Sequence, residues 1–599
     1  MNISPEETME DVFTITLPPR PYPGLRPFEK QEWPIFFGRE RMADAVVNGL
    51  IDKHLLVVHG DSGCGKSSLI RAAVLPRLEQ ENARAGLRWR TCTVFPREAP
   101  LLNMAKALAG LCGKSSVCNP MINLRRALNF GSTAPAVIAQ ITGASHSENI
   151  CILIDQFEEL FGHARRHGPE EAQLLTQFLT ALQRNPQPGL YVVLTMRSEF
   201  LGTCAHYDGL AEVVNATQYL LPRMDHSDLL RAICEPARLY NGQVSRDLAD
   251  RLIIDAGGGQ DRLPLIQHGL MLLHRQAVPV AVQASLECPA WHLGLEHYNP
   301  EHRLTGLLSS HADCVLQRIE LPPDDPVVED VFRALTDVNA EGQAIRRPQT
   351  LEQLIGVTGA EAAQVRAIVE SFRADGVSFL SPHDPSPLGM DSLIDISHEA
   401  FIRCWHKIAD PVNGWLMDEF RDGLIWHSLL MEADSFERNP NNVIGPDVTD
   451  EREQLLKRHN PVWALRYGGG WDRVKRLLDA SALARDLTRE RIKRQQRKQE
   501  FLKGLSAGLA ALLLALVGSG YVWSFRTQLL AKKSELETAS QQLKEATDTL
   551  NSTYKKIDFQ LNDVAKKHPT LEKPINEVRA ELKMGRALKS TEQPDKPVM

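Results

Sequence analysis

At 599 residues the chain is too long for one hydrophobic core, and its 43% hydrophobic and 24% charged content is that of an ordinary globular protein of about three or four units. The net charge of −7 argues against a nucleic-acid binder, and the acidic opening MNISPEETMEDVFTITLPPR (1–20) lacks the apolar stretch of a secretory signal and reads as a flexible tail. Ten cysteines run from Cys64 to Cys404 without a CxxC pair, so reduced thiols are expected in place of a zinc or disulfide framework.

The first stretch with chemistry is HLLVVHGDSGCGKSSL (54–69). An apolar strand leads into a glycine-rich loop, and the helix SLIRAAVLPRLEQ follows. GxxxxGK[ST] between strand and helix is a phosphate loop. Its glycines let backbone N–H groups turn inward onto phosphate oxygens, and the helix N-terminus adds its dipole. The cradle comprises Gly60, Asp61, Ser62, Gly63, Cys64, Gly65, Lys66, Ser67 and Ser68. Lys66 is placed to reach the β- and γ-phosphates, and the Ser67 hydroxyl to bind Mg²⁺. Cys64 reads as a small residue in a tight turn.

Such a loop needs a metal-holding carboxylate on a second strand. NICILIDQFEEL (149–160) supplies one: residues 150–154 are uniformly apolar, as in a strand covered on both faces, and Asp155 follows at the C-terminal end, where ligands of open α/β sheets bind. Asp155 is the expected Mg²⁺ ligand. Glu158 or Glu159 orients the attacking water; at a helix start the two point about 100° apart, and Glu158 is favoured. A third strand, LYVVLTMRSEF (190–200), ends in Arg197, either a γ-phosphate sensor or a surface salt bridge.

Further on, residues 326–408 give three helices (VVEDVFRALTD, TLEQLIG, AEAAQVRAIVESFRAD) and two strands (VSFL, LIDIS), the order of a winged helix, expected over 321–420. Its third helix sets Glu361 and Glu370 against Arg366 and Arg373, too neutral to steer toward DNA phosphates. Residues 421–484 are helical, and 485–503 carry eight Lys/Arg. Residues 504–525, GLSAGLAALLLALVGSGYVWSF, hold no charge and would make roughly 33 Å of helix at about 1.5 Å per residue, which predicts a transmembrane helix. Only four Lys/Arg lie in the following 526–544, so the basic side is expected to be cytoplasmic. Leu529, Leu536, Leu543, Leu550, Ile557 and Val564 recur every seven residues, a coiled-coil seam expected over 526–566, with 567–599 as a tail.

Taken together, PYPGLRPFEKQEWPIFFGRE (21–40), GDSGCGKSSLIRAAVLPRL (60–78), LIDQFEELF (153–161) and LTMRSEFLG (194–202) resemble the STAND class of signal-transduction ATPases. The bacterial subgroup with GLRPF…FFGRE and DQFEE motifs is the nearest match. EPARLYNG (235–242), RLPLIQHGLMLLH (262–274) and DISHEAFIRCWHKI (395–408) resemble that subgroup's lid and winged-helix parts. The resemblance covers roughly 21–525. It implies a P-loop NTPase domain over 21–221, a parallel sheet flanked by helices, followed by a helical lid over 222–320. It also implies that Phe37, Gly38 and Arg39 line the adenine side, that Pro264 lies near the base, and that His398 touches the β-phosphate of ADP. Arg262 stands where relatives often carry a glycine, and neither C-terminal repeats nor an N-terminal effector domain is evident.

The expectation is therefore an ATP/ADP-dependent, Mg²⁺-requiring signalling switch with slow ATPase activity, anchored by one span in the bacterial inner membrane. Its NTPase would face the cytoplasm and its tail the outer side. Self-association would run through span and coil, a protein trigger or effector would act on it, and bacterial stress or antiviral defence is its setting. A mechanochemical membrane ATPase and a non-hydrolysing nucleotide-bound scaffold are the alternatives.

Overall fold

The computed structural model describes residues 16–83, 87–112, 119–278, 290–322, 325–339, 342–383, 385–516, 524–567 and 572–590. They form two compact units. One holds residues up to 322 together with 367–388 and 394–406; the other holds 323–366, 389–393 and 407 onward. Residues 321–420, expected as one winged helix, are thus shared between the two.

The first unit is built on a five-stranded sheet: β1 (Leu55–Gly60), β2 (Arg88–Val94), β3 (Glu148–Ile154), β4 (Leu190–Arg197) and β5 (Gln218–Leu220). The order is β2-β3-β4-β1-β5, and every pairing is parallel. Helices cover both faces, which explains why the strands read as unbroken apolar runs. Leu55, Val57, Ile150, Ile152, Ile154, Val192 and Leu194 pack to one side. Leu56, Val58, Cys151, Leu153 and Val193 pack to the other. This is the expected α/β P-loop sheet. Strand β4 lies between β1 and β3, so the strand ending in Arg197 runs between the strand that leads into the phosphate loop and the strand that leads to Asp155.

Ahead of the sheet, the GLRPFE segment is bound to the rest of the unit. The Phe28 N–H donates to Ser68 Oγ at 3.2 Å, and the Tyr22 hydroxyl donates to the Ile233 carbonyl at 2.6 Å. Helices His226–Leu239, Arg246–Asp255, Arg262–Ala277 and Arg303–Gln317 follow the sheet. Strand residues Leu380 and Ser381 pair antiparallel with Ile396 and Asp395, and helix Glu399–Cys404 comes next. Phe372, Phe379, Phe401 and Trp405 form a buried aromatic cluster that holds this last segment in the unit.

In the second unit, helices Val327–Leu335 and Leu351–Thr358 precede a long helix, Trp415–Arg438. Trp426, Leu429, Leu455, Trp463, Val474 and Leu477 make its core. Helix Trp471–Leu516 is packed in its first turns and exposed further along, and Ser524–Lys567 is a second long helix. Helix Glu572–Ser590 packs against the latter, with Ile575 buried and Arg579 Nε donating to Asp558 at 2.7 Å.

The expected transmembrane helix over 504–525 is overturned. Among the described residues no helix is long and apolar enough to cross a membrane. One helix is described as far as Leu516 and the next from Ser524, and 517–523 lie outside the described residues. The described part, 504–516, amounts to about 20 Å of helix, short of a roughly 30 Å hydrocarbon core. Upstream it continues into the basic 485–503 stretch of the same helix. The single-pass inner-membrane localisation and its two-sided topology rested on that span and are corrected with it.

Candidate nucleotide-binding site

Strand β1 ends at Gly60, and the loop turns through Gly63 (φ +71°) and Gly65 (φ +94°) into helix Lys66–Leu69. Gly63 must lack a side chain for a second reason. A Cβ there would lie 2.2 Å from the Gln260 carbonyl oxygen and 3.2 Å from His398 Nε2, because both the 257–260 loop and His398 press on the phosphate loop. Lys66 Nζ donates to the carbonyls of Gly60 (2.9 Å) and Asp61 (2.7 Å). Buried Arg39 donates to the carbonyls of Cys64 (2.9 Å) and Pro222 (2.6 Å), tying the loop to the start of the lid. Asp61 pairs with Arg223 at 2.7 Å. The hydroxyl of Ser68 accepts from the Phe28 N–H and so ties the entry segment to the loop.

Asp155 is fully buried at the end of β3. It accepts from Ser67 Oγ at 2.7 Å, from the Thr195 hydroxyl, and from Arg71 Nη2 at 2.7 Å. Arg71 lies in the π-helical segment Ile70–Val74 and also reaches Glu29 at 2.9 Å. Burial alone would lower the Arg71 pKa; Asp155 and Glu29 overcome that and raise it. Sequence reasoning missed Arg71, Thr195 and Glu29. The signal was there: a lone charge in the apolar helix SLIRAAVL, and a lone aliphatic hydroxyl in the strand LYVVLTM.

The Ser67 hydroxyl against a buried carboxylate, beside a glycine cradle that a Cβ would fill, fits a Mg²⁺–nucleotide group. Among the described residues no cluster of three or more His, Cys, Asp or Glu could hold a metal alone. Mg²⁺ takes one or two protein oxygens and completes its shell with phosphate and water, and Ser67 and Asp155 would offer such oxygens.

Arg197, at the end of β4, is in register with Gly60. Its Nε lies 3.3 Å from Glu158 Oε1, and its Nη2 pairs with Glu399. Glu158 and Glu159 separate as helix geometry requires: Glu158 faces Arg197, while Glu159 accepts from the Arg97 N–H at 3.3 Å. Burial pushes the Glu158 carboxyl up, against the pull of Arg197. His398 caps helix Glu399–Cys404, its Nδ1 accepting from the Ala400 N–H at 3.0 Å. Glu399 was not anticipated; its signal was adjacency to His398.

A pocket opens between the phosphate loop and the lid, lined among others by Arg39, Ser62, Cys64, Arg223, Arg262 and Leu263. Phe37, Gly38 and Pro264 are not among its lining residues. Gly38 (φ +85°) packs on the Asp228 carbonyl, and Pro264 lies one residue beyond Leu263 in helix Arg262–Ala277. Burial and the neighbouring Arg223 lower the Arg262 pKa.

A parallel sheet, a GxxxxGKS loop against its first strand and a buried carboxylate bonded to the loop serine define a P-loop nucleotide-binding ATPase. The profile of the family described as Novel STAND NTPase 1 matches residues 21–442, and the chain belongs to that family. Among solved structures it is similar to a Walker-type ATPase of Pyrococcus abyssi, at 15% identity over 63% of this chain and 97% of that one, with a TM-score of 0.32. It is also similar to the Aeropyrum pernix ORC1 protein in complex with DNA (14%; 63% and 94%; TM-score 0.33). The ORC2 protein of the same organism in its ADPNP–ADP complexes is comparable (12%; 66% and 96%; TM-score 0.33). No curated protein gives a significant sequence match.

Proposed function

We propose that this chain is a slow, Mg²⁺-dependent ATPase acting as a signalling switch, closed on ADP and opened when ATP replaces it. The observation that carries the reading is the docking of residues 398–399 on the nucleotide site: His398 beside Gly63, and Glu399 on Arg197 and Ser62. A motor that turns over steadily would gain nothing from such a plug. Lys66 and the loop N–H groups hold the phosphates, Ser67 and Asp155 the Mg²⁺, and Glu158 orients water. Bound Mg²⁺ supplies charge neutralisation on the phosphates. Opening is driven by a protein trigger. Denaturing the purified protein and identifying the released nucleotide tests this: about one ADP per chain is expected for a site that holds its product. Recovery of no nucleotide, together with rapid steady turnover, would sink it.

Self-association through helix Ser524–Lys567 is part of the proposal. Leu536 (74% exposed) and Leu543 (75%), with Leu550 and Ile557, keep the seven-residue spacing along it. A Leu543→Glu variant should weaken self-association about tenfold by sedimentation, equivalent to about 1.4 kcal/mol, without altering nucleotide binding. An unchanged dissociation constant removes the seam from the proposal.

A further inference from the structure

Ser67 and Arg71 stand four residues apart where helix Lys66–Leu69 runs on into the π-helical Ile70–Val74, so they share one face. That face meets the end of β3, and the two side chains reach the two oxygens of one carboxylate. Ser67 Oγ donates to Asp155 Oδ1 at 2.7 Å, and Arg71 Nη2 donates to Asp155 Oδ2 at 2.7 Å. The Thr195 hydroxyl, from β4, also donates to Oδ1. Arg71 is firmly mounted. Its side chain is only 10% exposed, its Cζ lies 5.0 Å from the centre of the Phe95 ring, and its Nη1 donates to Glu29 at 2.9 Å. Glu29 is itself held in the entry segment: its N–H donates to Glu32 at 2.8 Å, and its neighbour Phe28 is tied to Ser68. The guanidinium cannot leave Asp155 without stranding a buried carboxylate.

We infer that Arg71 makes metal binding at Asp155 conditional on bound nucleotide. The inference rests on the reading of Ser67 and Asp155 as the Mg²⁺ residues, and it adds the residue that controls when they act. A buried carboxylate standing alone at the end of β3 would attract any divalent cation that reached it. With Arg71 on Oδ2 its charge is already compensated, and an incoming dication meets the fixed positive charge of the guanidinium as well. Lys66 adds a second positive charge at the loop, and the nearby carboxylate Glu158 is held by Arg197. The negative charge that holds the metal then comes with the phosphates, so the dication enters as part of a nucleotide complex. Ser67, whose proton goes to Oδ1, keeps oxygen lone pairs for it. Arg71 touches no reacting atom; it is a positioning residue that acts through Asp155.

The full-length protein, stripped of nucleotide, is titrated with Mn²⁺ alone, and free Mn²⁺ is read by electron paramagnetic resonance. Arg71→Met, which keeps much of the side-chain length and removes its charge, should bind Mn²⁺ about tenfold more tightly than wild type, equivalent to about 1.4 kcal/mol. Adding Asp155→Asn should abolish that gain, which places it at this carboxylate. Arg71→Lys, which keeps the charge, should stay within about threefold of wild type. Equal Mn²⁺ affinity in wild type, Arg71→Met and Arg71→Lys overturns the inference, as does a gain that survives Asp155→Asn. Loss of the folded state in both Arg71→Met and Arg71→Gln, seen by circular dichroism, makes Arg71 a purely structural residue and likewise overturns it. Calorimetric titration of wild type with Mg²⁺-ADP separates the two readings: ADP binding alongside a negative Mn²⁺ result leaves the nucleotide-switch reading standing, and absence of ADP binding overturns that reading too.

Discussion

Each unit contains a buried cluster of charges, and the two clusters are wired differently. In the second unit Glu419 receives Arg333 Nε at 2.9 Å, Arg466 Nη1 at 3.0 Å, Trp463 Nε1 at 2.9 Å and the Tyr467 hydroxyl at 2.7 Å. Burial would raise the Glu419 pKa, but the two guanidiniums and the hydroxyl hold it below the ordinary glutamate value. The network closes on itself: Arg333 also pairs with Asp422 and, at 3.1 Å, with Glu329, and Arg466 pairs with Asp337 at 3.1 Å. In the first unit the glutamate shift has the opposite sign. Glu158, Glu199 and Glu399 share Arg197, the Glu158 contacts run to 3.3 and 3.4 Å, and burial wins over Arg197 in raising the Glu158 pKa. Burial of charge therefore does not by itself mark a functional site. A saturated network fixes a fold; a contested cation at the mouth of a phosphate loop can change partners.

The sharpest way to break that contrast is to unpair Glu419. Glu419→Ala leaves Arg333 and Arg466 buried without their shared acceptor and should cost the second unit about 3–5 kcal/mol in urea denaturation. A loss within about 0.5 kcal/mol, the range of ordinary surface substitutions, would show that the network is not what holds the unit together. The sign of its pH dependence follows from the depressed folded pKa. The Glu419 contribution is fully present above the unfolded glutamate value of 4.5 and is lost as pH falls through the lower folded value. Acid titration of wild type should therefore lose stability below that point, and Glu419→Gln should flatten the loss.

Next in size is the loop lysine. Lys66 contacts two loop carbonyls and, at 3.8 Å, Cys64 Sγ, all within the loop, so Lys66→Ala should leave the melting temperature nearly unchanged. Nucleotide affinity should fall about 100-fold, or about 2.7 kcal/mol, by equilibrium titration. A large stability loss with intact affinity would make the first cluster as structural as the second.

The smallest effect has the opposite sign to Glu419. The Glu158 pKa is raised on folding, so its favourable part belongs to pH below 4.5 and is lost as pH rises through the folded value, leaving a penalty at neutral pH. Glu158→Gln should raise the thermal midpoint at pH 7, by about 1 kcal/mol or less, while slowing hydrolysis. A lowered midpoint would mean that Glu158, like Glu419, is there for stability.

By itself the sequence determined the local chemistry. Glycine spacing and the strand before it identified the phosphate loop, the apolar run 150–154 identified a strand covered on both faces, and Asp155 followed from its position at the strand end. These are legible because they depend on backbone geometry over a few residues. Helix periodicity separated Glu158 from Glu159 but could not say which faced the site. Tertiary structure decided that, by inserting β4 between β1 and β3 and so bringing Arg197 beside Glu158. It also brought Arg71 to Asp155 through a π-helical segment, and Glu399 to Arg197 across 202 residues. Contacts at that separation are set by how the chain returns on itself, which no local period encodes. The 504–525 stretch shows the same limit from the other side. An uncharged composition described residues that could span a membrane, while among the described residues no helix is long and apolar enough to do so, and the helix that holds 504–516 also carries the basic 485–503 run.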